Sequence, residues 1–194
     1  MSPTAQPRSR LPGGLAGWPL LLALALGCAA PSPYVSENAD FSLIRSVAIL
    51  PFDDASGEKM GAERIQRIFM TELLALGVFD PVEPGQVVRA VRTERIDPAS
   101  FTPDDIKKLG KLLGVQGVFV GSIIEYSEGR SASQSAQVTL QIRLLDVESG
   151  KTVWSTSRSG TGATVTGRLF GMGSLTASEV ARQLIREELE RLVR

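Results

Sequence analysis

Two adjacent carboxylates, Asp53 and Asp54, follow directly on the apolar run Ser46-Val47-Ala48-Ile49-Leu50-Pro51-Phe52. Behind a first β-strand, this is where receiver domains and some phosphatases hold magnesium, because hard oxygen ligands suit that ion. Such chemistry also needs an aspartate ending a central strand and a lysine after a later one. Here the central strand runs on as Gly121-Ser122-Ile123, and no lysine stands in the matching place. Asp53 to Lys59 therefore reads as a solvated loop, with a metal-dependent hydrolase or phosphotransfer domain using Asp53 and Asp54 as the alternative. Asp104-Asp105 is accounted for by the positive end of a helix dipole. Gly160-Thr161-Gly162 with Gly167 departs from the G-x-G-x-x-G spacing and has no phosphate-loop lysine after it, so it reads as a flexible surface loop.

The chain has no histidine and one cysteine. That removes Cys/His zinc sets, Ser-His and Cys-His nucleophiles and any intrachain disulfide. The expectation is a protein without catalytic residues, metal or cofactor. Lysine plus arginine equals aspartate plus glutamate at 21 each, with no basic run to attract a phosphate backbone, so nucleic acid is excluded as a partner. With 194 residues, 43% of them hydrophobic and 22% charged, the composition fits one folded domain.

The lone cysteine gains its meaning from what precedes it. Arg8 and Arg10 form a positive region, Leu20 to Leu26 an apolar one, and small residues flank Cys28, which is the layout of an export signal. The apolar stretch falls short of the roughly 20 residues a spanning helix needs. Leu24-Ala25-Leu26-Gly27-Cys28-Ala29-Ala30 resembles the lipobox of bacterial lipoproteins, with Ala25 and Leu26 transposed from its commonest form. That resemblance implies that Cys28 is lipidated and becomes the first residue, and that Ala29 directs sorting to the outer membrane, on its periplasmic face. Three acyl chains, at about 0.8 kcal/mol per buried methylene, make such an anchor permanent. Residues 1–27 carry two arginines and no acids, so the mature chain has 19 basic against 21 acidic residues, a net charge of −2.

Residues 28–43, with Pro31-Ser32-Pro33 at their start, read as lipid anchor and extended tether. The domain then spans 44–194. Ser46 to Phe52 is a short buried strand, with Pro51 at its end because proline lacks an N–H. From Gly61 to Leu76 the residues Ile65, Ile68, Phe69, Leu73 and Leu76 recur at helical steps, and Gly77 stops the helix. Val78 to Val82 reads as a strand, and Gln86 to Thr93 as a helix with Val87, Val88 and Val91 inward. Thr102-Pro103-Asp104-Asp105 is a helix start, followed by Ile106, Leu109, Leu112 and Leu113 and closed by Gly114. Val115 to Ile124 is a strand covered on both faces, with Phe119 in the core. Val138, Leu140, Ile142 and Leu144 alternate with Thr139, Gln141 and Arg143, which makes a strand packed on one face and wet on the other. Asp146 to Lys151 turns the chain into Thr152 to Thr156, where Trp154 is core. Ser157 to Gly173 reads as loop, and Thr176-Ala177-Ser178-Glu179 caps a last helix lined by Val180, Leu184, Ile185, Leu189 and Leu192. The order β-α-β-α-α-β-β-β-α predicts an α/β domain, a mixed β-sheet with helices on both faces.

That order, with Val47-Ala48-Ile49-Leu50-Pro51-Phe52, Gly121-Ser122-Ile123-Ile124-Glu125 and the run from Leu144 to Trp154, resembles the periplasmic domain of the CsgG family of curli-secretion lipoproteins. The pattern is shared by the N-terminal domain of TolB and by LpoB, an activator of a peptidoglycan synthase. The resemblance implies a non-enzymatic envelope lipoprotein acting through protein contacts in assembly or secretion. An LpoB-like activator is the alternative. Its partners are then the membrane, through lipidated Cys28, and envelope proteins, a homo-oligomer among them. The contact surfaces expected are the polar loops Asp53 to Lys59 and Tyr126 to Ser135, with Asp53, Asp54, Glu58, Tyr126 and Arg130 as the contacting residues. A pore is not expected from this chain alone. Each arm of a barrel hairpin takes about 9 to 11 residues, whereas Glu125 to Ala136 offers 12 in all and Ser157 to Ser174 offers 18.

Overall fold

The computed structural model describes residues 32–37, 40–58, 60–129, 134–164 and 173–194. Cys28 and Arg130 lie outside the described residues. Seven strands form one open mixed sheet: β1 (Tyr34–Val35), β2 (Ser46–Ile49), β3 (Asp53–Asp54), β4 (Asp80–Pro81), β5 (Gly117–Ser127), β6 (Gln137–Asp146) and β7 (Thr152–Thr161). The strand order is β1-β7-β6-β5-β2-β4, with β3 also on β5. Among the described residues there are four α-helices: α1 (Gly61–Leu76), α2 (Pro84–Glu94), α3 (Pro103–Leu113) and α4 (Ala177–Leu192).

The sheet has a parallel half, β4-β2-β5, and an antiparallel half, β5-β6-β7-β1. The β-α-β units need crossovers to bring strands in parallel, while the turn at Asp146–Lys151 permits direct reversal. One face carries α1 and α4 over Phe119, Ile123, Leu140, Ile142 and Trp154; the other carries α2 and α3 over Ala48, Leu50, Val118 and Val120. Central β5 is thus apolar on both sides through Val120, as the unbroken run Val118–Val120 requires.

Helix ends follow the sequence. Thr102 and Thr176 each accept a hydrogen bond from the backbone N–H three residues on, and Asp105 and Glu179 accept in return from the cap backbone, two complete capping boxes. Two helical expectations are adjusted. Leu112 is exposed, since on α3 it falls to the side of the buried face made by Ile106, Leu109 and Gly110, while Leu113 stays half-buried. On α2, Ala90 joins Val87 and Val91 in the core while Val88 is only half-buried, because 87, 90 and 91 share one face at helical spacing.

Four stretches read as tether or loop are strand. Asp53–Asp54 continues the first strand beyond Pro51: Ile49 pairs with Phe119 and Asp53 with Ser122, so three residues oppose two, a bulge at Leu50-Pro51-Phe52. Phe52 turns into the core there, beside Phe69 at 5.6 Å between ring centroids. A Cβ at Gly121 would stand 2.8 Å from the Phe52 ring, so the bulge needs that glycine. β7 runs five residues past Thr156, to Thr161, and β5 runs through Tyr126 to Ser127. In the fourth stretch, Tyr34 and Val35 pair with Ser155 and Trp154, which ties the supposed tether to the sheet edge.

The extension of β7 is polar for a reason. Trp154, Thr156, Arg158 and Gly160 alternate toward α4, opposite Leu144, Ile142, Leu140 and Val138 of β6. A Cβ at Gly160 would lie 2.8 Å from Val180 Cγ1, so the glycine lets α4 approach the sheet.

Candidate functional site

Asp53 and Asp54 are consecutive strand positions, so their side chains leave opposite faces of the sheet. Asp53 Oδ2 accepts from Ser122 Oγ at 3.3 Å. Asp54 Oδ1 accepts from Ser56 N at 3.0 Å and Ser56 Oγ at 2.6 Å. The Ser56 hydroxyl, with the backbone bonds, holds the Asp54 carboxyl below its ordinary range. Glu58 is exposed, and its carbonyl accepts from Gly61 N at the start of α1. The two aspartates therefore do not converge on one point, and among the described residues no group of three or more His, Cys, Asp or Glu could hold a metal ion. No helix among the described residues is long and apolar enough to cross a membrane.

Tyr126 lies elsewhere than on an open loop. It is buried, with its ring against the backbone of Gly61, where an added Cβ would lie 3.4 Å from it. Its hydroxyl donates to Glu128 Oε1 at 2.6 Å and accepts from Arg64 Nη1 at 3.0 Å. Arg64 also reaches Glu128 at 2.7 Å and packs its guanidinium 5.8 Å from the Tyr126 ring centre. Burial, then the Glu128 carboxylate, push the Tyr126 phenol up from its ordinary value. Glu128 Oε2 accepts from Ala177 N at 3.3 Å, at the positive end of α4. This cluster joins the ends of β5, α1 and α4.

Two buried glutamates, not singled out in the sequence, tie α4 to its neighbours. Glu72 on α1 is met by Arg186 at 2.9 Å and Arg182 at 3.5 Å, both guanidinia more than half exposed. Glu188 on α4 accepts from Thr156 Oγ1 at 2.6 Å, from Arg191 at 2.7 Å, and lies 3.2 Å from Arg158. Helical spacing alone carried the available signal: Glu72 and Glu188 stand beside Leu73 and Leu189 on the apolar stripes. Between α1 and α4 runs a shallow groove lined by Met60, Arg64, Arg67, Ser178 and Arg182, its arginines compensated by Glu63, Glu72 and Glu128. Each of these arginines thus faces a carboxylate, and the pairs tie α1 to α4 and to the end of β5.

Solved structures with the same fold share little sequence with the chain. The PelC dodecamer from Paraburkholderia phytofirmans is 16% identical, with TM-score 0.57 over 82% of this chain and 96% of that one. Lipoprotein GNA1162 from Neisseria meningitidis is 17% identical, with TM-score 0.53 over 77% and 98%. Similarity to LpoB from E. coli is weaker, at 14% identity and TM-score 0.49 over 83% and 84%. No curated protein matches the sequence. The family model for the curli production assembly/transport component CsgG matches residues 43–192, which hold β2 to β7 and the four α-helices, and the chain belongs to that family.

Proposed function

We propose that the protein is a non-catalytic lipoprotein, anchored through Cys28 to the periplasmic face of the outer membrane, that serves envelope assembly or secretion by binding other proteins. The observation that carries this reading is the family match over residues 43–192, a domain in which the carboxylates most open to catalysis are each spent on a neighbouring serine. Exposed Asp54 and Glu58, beside half-buried Asp53, form the contact surface on the described part of the domain. Tyr126 holds that end in shape from inside, and Arg130, outside the described residues, is a further contact residue of this proposal. Contacts between copies of the chain are part of this reading, since PelC, of the same fold, is a dodecamer.

The chain does not form a pore by itself. Residues 157–161 are committed to β7 of the domain's own sheet, so the stretch after Thr156 has fewer residues to give to a barrel hairpin than the sequence count allows.

Fractionation of cells expressing wild type and Cys28→Ser tests the anchor: wild type is expected in the outer membrane and the variant in the soluble periplasm. Equal solubility of the two overturns it. Magnesium and manganese titration of Asp53→Ala/Asp54→Ala against wild type tests the absence of metal chemistry, and a micromolar affinity lost in the variant would replace this reading with the hydrolase one.

A further inference from the structure

Anchor and domain are joined by very little chain. Tyr34 pairs with Ser155 and Val35 with Trp154, and Ser36 N donates to Val153 O at 2.9 Å, so the chain is fixed to the sheet from Tyr34 onward. Cys28 stands six residues earlier, and six residues fully extended span at most about 22 Å. A domain about 30 Å or more across cannot turn freely on such a leash, and the surface around Tyr34 must stay nearest the bilayer.

That surface has the chemistry of a lipid contact. A groove of about 930 Å³ opens beside β1, lined by Tyr34, Leu43, Gln116, Lys107, Lys111 and Lys151. Tyr34 is 57% and Leu43 70% exposed. Lys107 and Lys111 stand one turn apart on α3, and no acid lies within ion-pair distance of either, or of Lys151, among the described residues. Asp40, Asp146 and Glu148 also line the groove; the Asp40 and Asp146 carboxylates are held in their own turns by Ser42 and Ser149, which leaves exposed Glu148 against the three lysines. An aromatic ring and a leucine beside long-stemmed amines suit the headgroup zone, where apolar stems bury and ammonium groups reach phosphates.

We infer that this face rests on the phospholipid surface, with Tyr34 and Leu43 at headgroup depth and Lys107, Lys111 and Lys151 on anionic headgroups, which fixes the orientation of the whole domain. The inference rests on lipidation of Cys28.

The test uses the mature lipoprotein in vesicles of phosphatidylethanolamine and phosphatidylglycerol, with an environment-sensitive dye on Leu43→Cys or on Gln137→Cys. Gln137 is exposed at the far end of β6, about 30 Å along the strand from the Asp146 turn. Lipidation occupies Cys28, so the dye reports the introduced thiol alone, and the mass of the N-terminal peptide reports the lipid. A quencher carried on the lipids is expected to quench the dye at Leu43 several-fold more than at Gln137. Lys107→Glu/Lys111→Glu is expected to reduce that difference while the protein stays vesicle-bound. Equal quenching at both sites on a lipidated, bound protein overturns the orientation and leaves the anchor standing. An N-terminal peptide without lipid overturns both. A Leu43 signal that follows protein density rather than the lipid quencher places a second copy on this face and overturns the membrane contact.

Discussion

Replacing Glu188 by leucine should be the most damaging single change in the α4 interface. Its side chain is 1% exposed and neutralises Arg158, itself 10% exposed, at 3.2 Å while accepting the buried hydroxyl of Thr156 at 2.6 Å. Arg191 also contacts it, at 2.7 Å, but is 39% exposed and can turn to water. The loss therefore falls on Thr156 and on Arg158, which keeps 41%-exposed Glu187 at 3.2 Å but loses its buried carboxylate. Removing one member of a buried ion pair costs about 3–5 kcal/mol, because the other charge stays desolvated. At about 2–4 °C per kcal/mol for a chain of this size, the melting temperature should drop by about 6–20 °C. The pair itself should be dispensable: Thr156→Val/Arg158→Met/Glu188→Leu, which removes the buried polar groups together and leaves part-exposed Glu187 and Arg191 to water, is expected within about 1 kcal/mol of the parent. Urea unfolding of the mature protein, followed by far-ultraviolet circular dichroism and by tryptophan fluorescence to check coincidence, measures both. If Glu188→Leu costs no more than the roughly 0.5 kcal/mol of a surface change, or the triple variant falls as far as the single one, burial does not govern this cluster.

Gly121→Ala should cost about 1–3 kcal/mol, since its Cβ would press on the Phe52 ring at 2.8 Å; Phe52→Leu in the same chain should recover part of that loss in urea titrations, and full tolerance of the alanine would refute the bulge packing. Trp154→Phe should be milder than Trp154→Ala, at about 3–5 kcal/mol, because the indole Nε1 has no hydrogen-bond partner to lose among the described residues while the ring is wholly buried; equal costs would point to a bond on that nitrogen. Tyr126 keeps its proton longer when folded than when unfolded. Stability should therefore fall as pH rises past the ordinary phenol value of about 10, as the unfolded chain ionises first. Tyr126→Phe should lose that slope, along with about 1–3 kcal/mol at neutral pH, and an unchanged slope in alkaline urea titrations would remove Tyr126 as its source.

The helices and the hairpin could be read from the chain because each is specified locally. Apolar residues at helical steps, Thr-x-x-Asp and Thr-x-x-Glu caps, glycines at helix ends and strict alternation in β6 each bind a segment to one conformation before any partner is present. With their order they also placed the chain in its family. What lay beyond the sequence was every feature made by a neighbour. Ser157 to Thr161 has no apolar residue to mark it as strand, and it becomes one because β6 supplies its hydrogen bonds and α4 covers Arg158. Asp53–Asp54 looks like a loop until β5 runs long enough to pair with it. Tyr34 and Val35 look like tether, and Tyr126 like loop, for the same reason. Glu72 and Glu188 look like solvated helix residues, but two packed helices and a strand bring arginines to them and withdraw the water. Periodicity records which side of an element is apolar; which polar groups end up buried depends on the partner that crosses above them, and that is settled only when the sheet and its helices assemble.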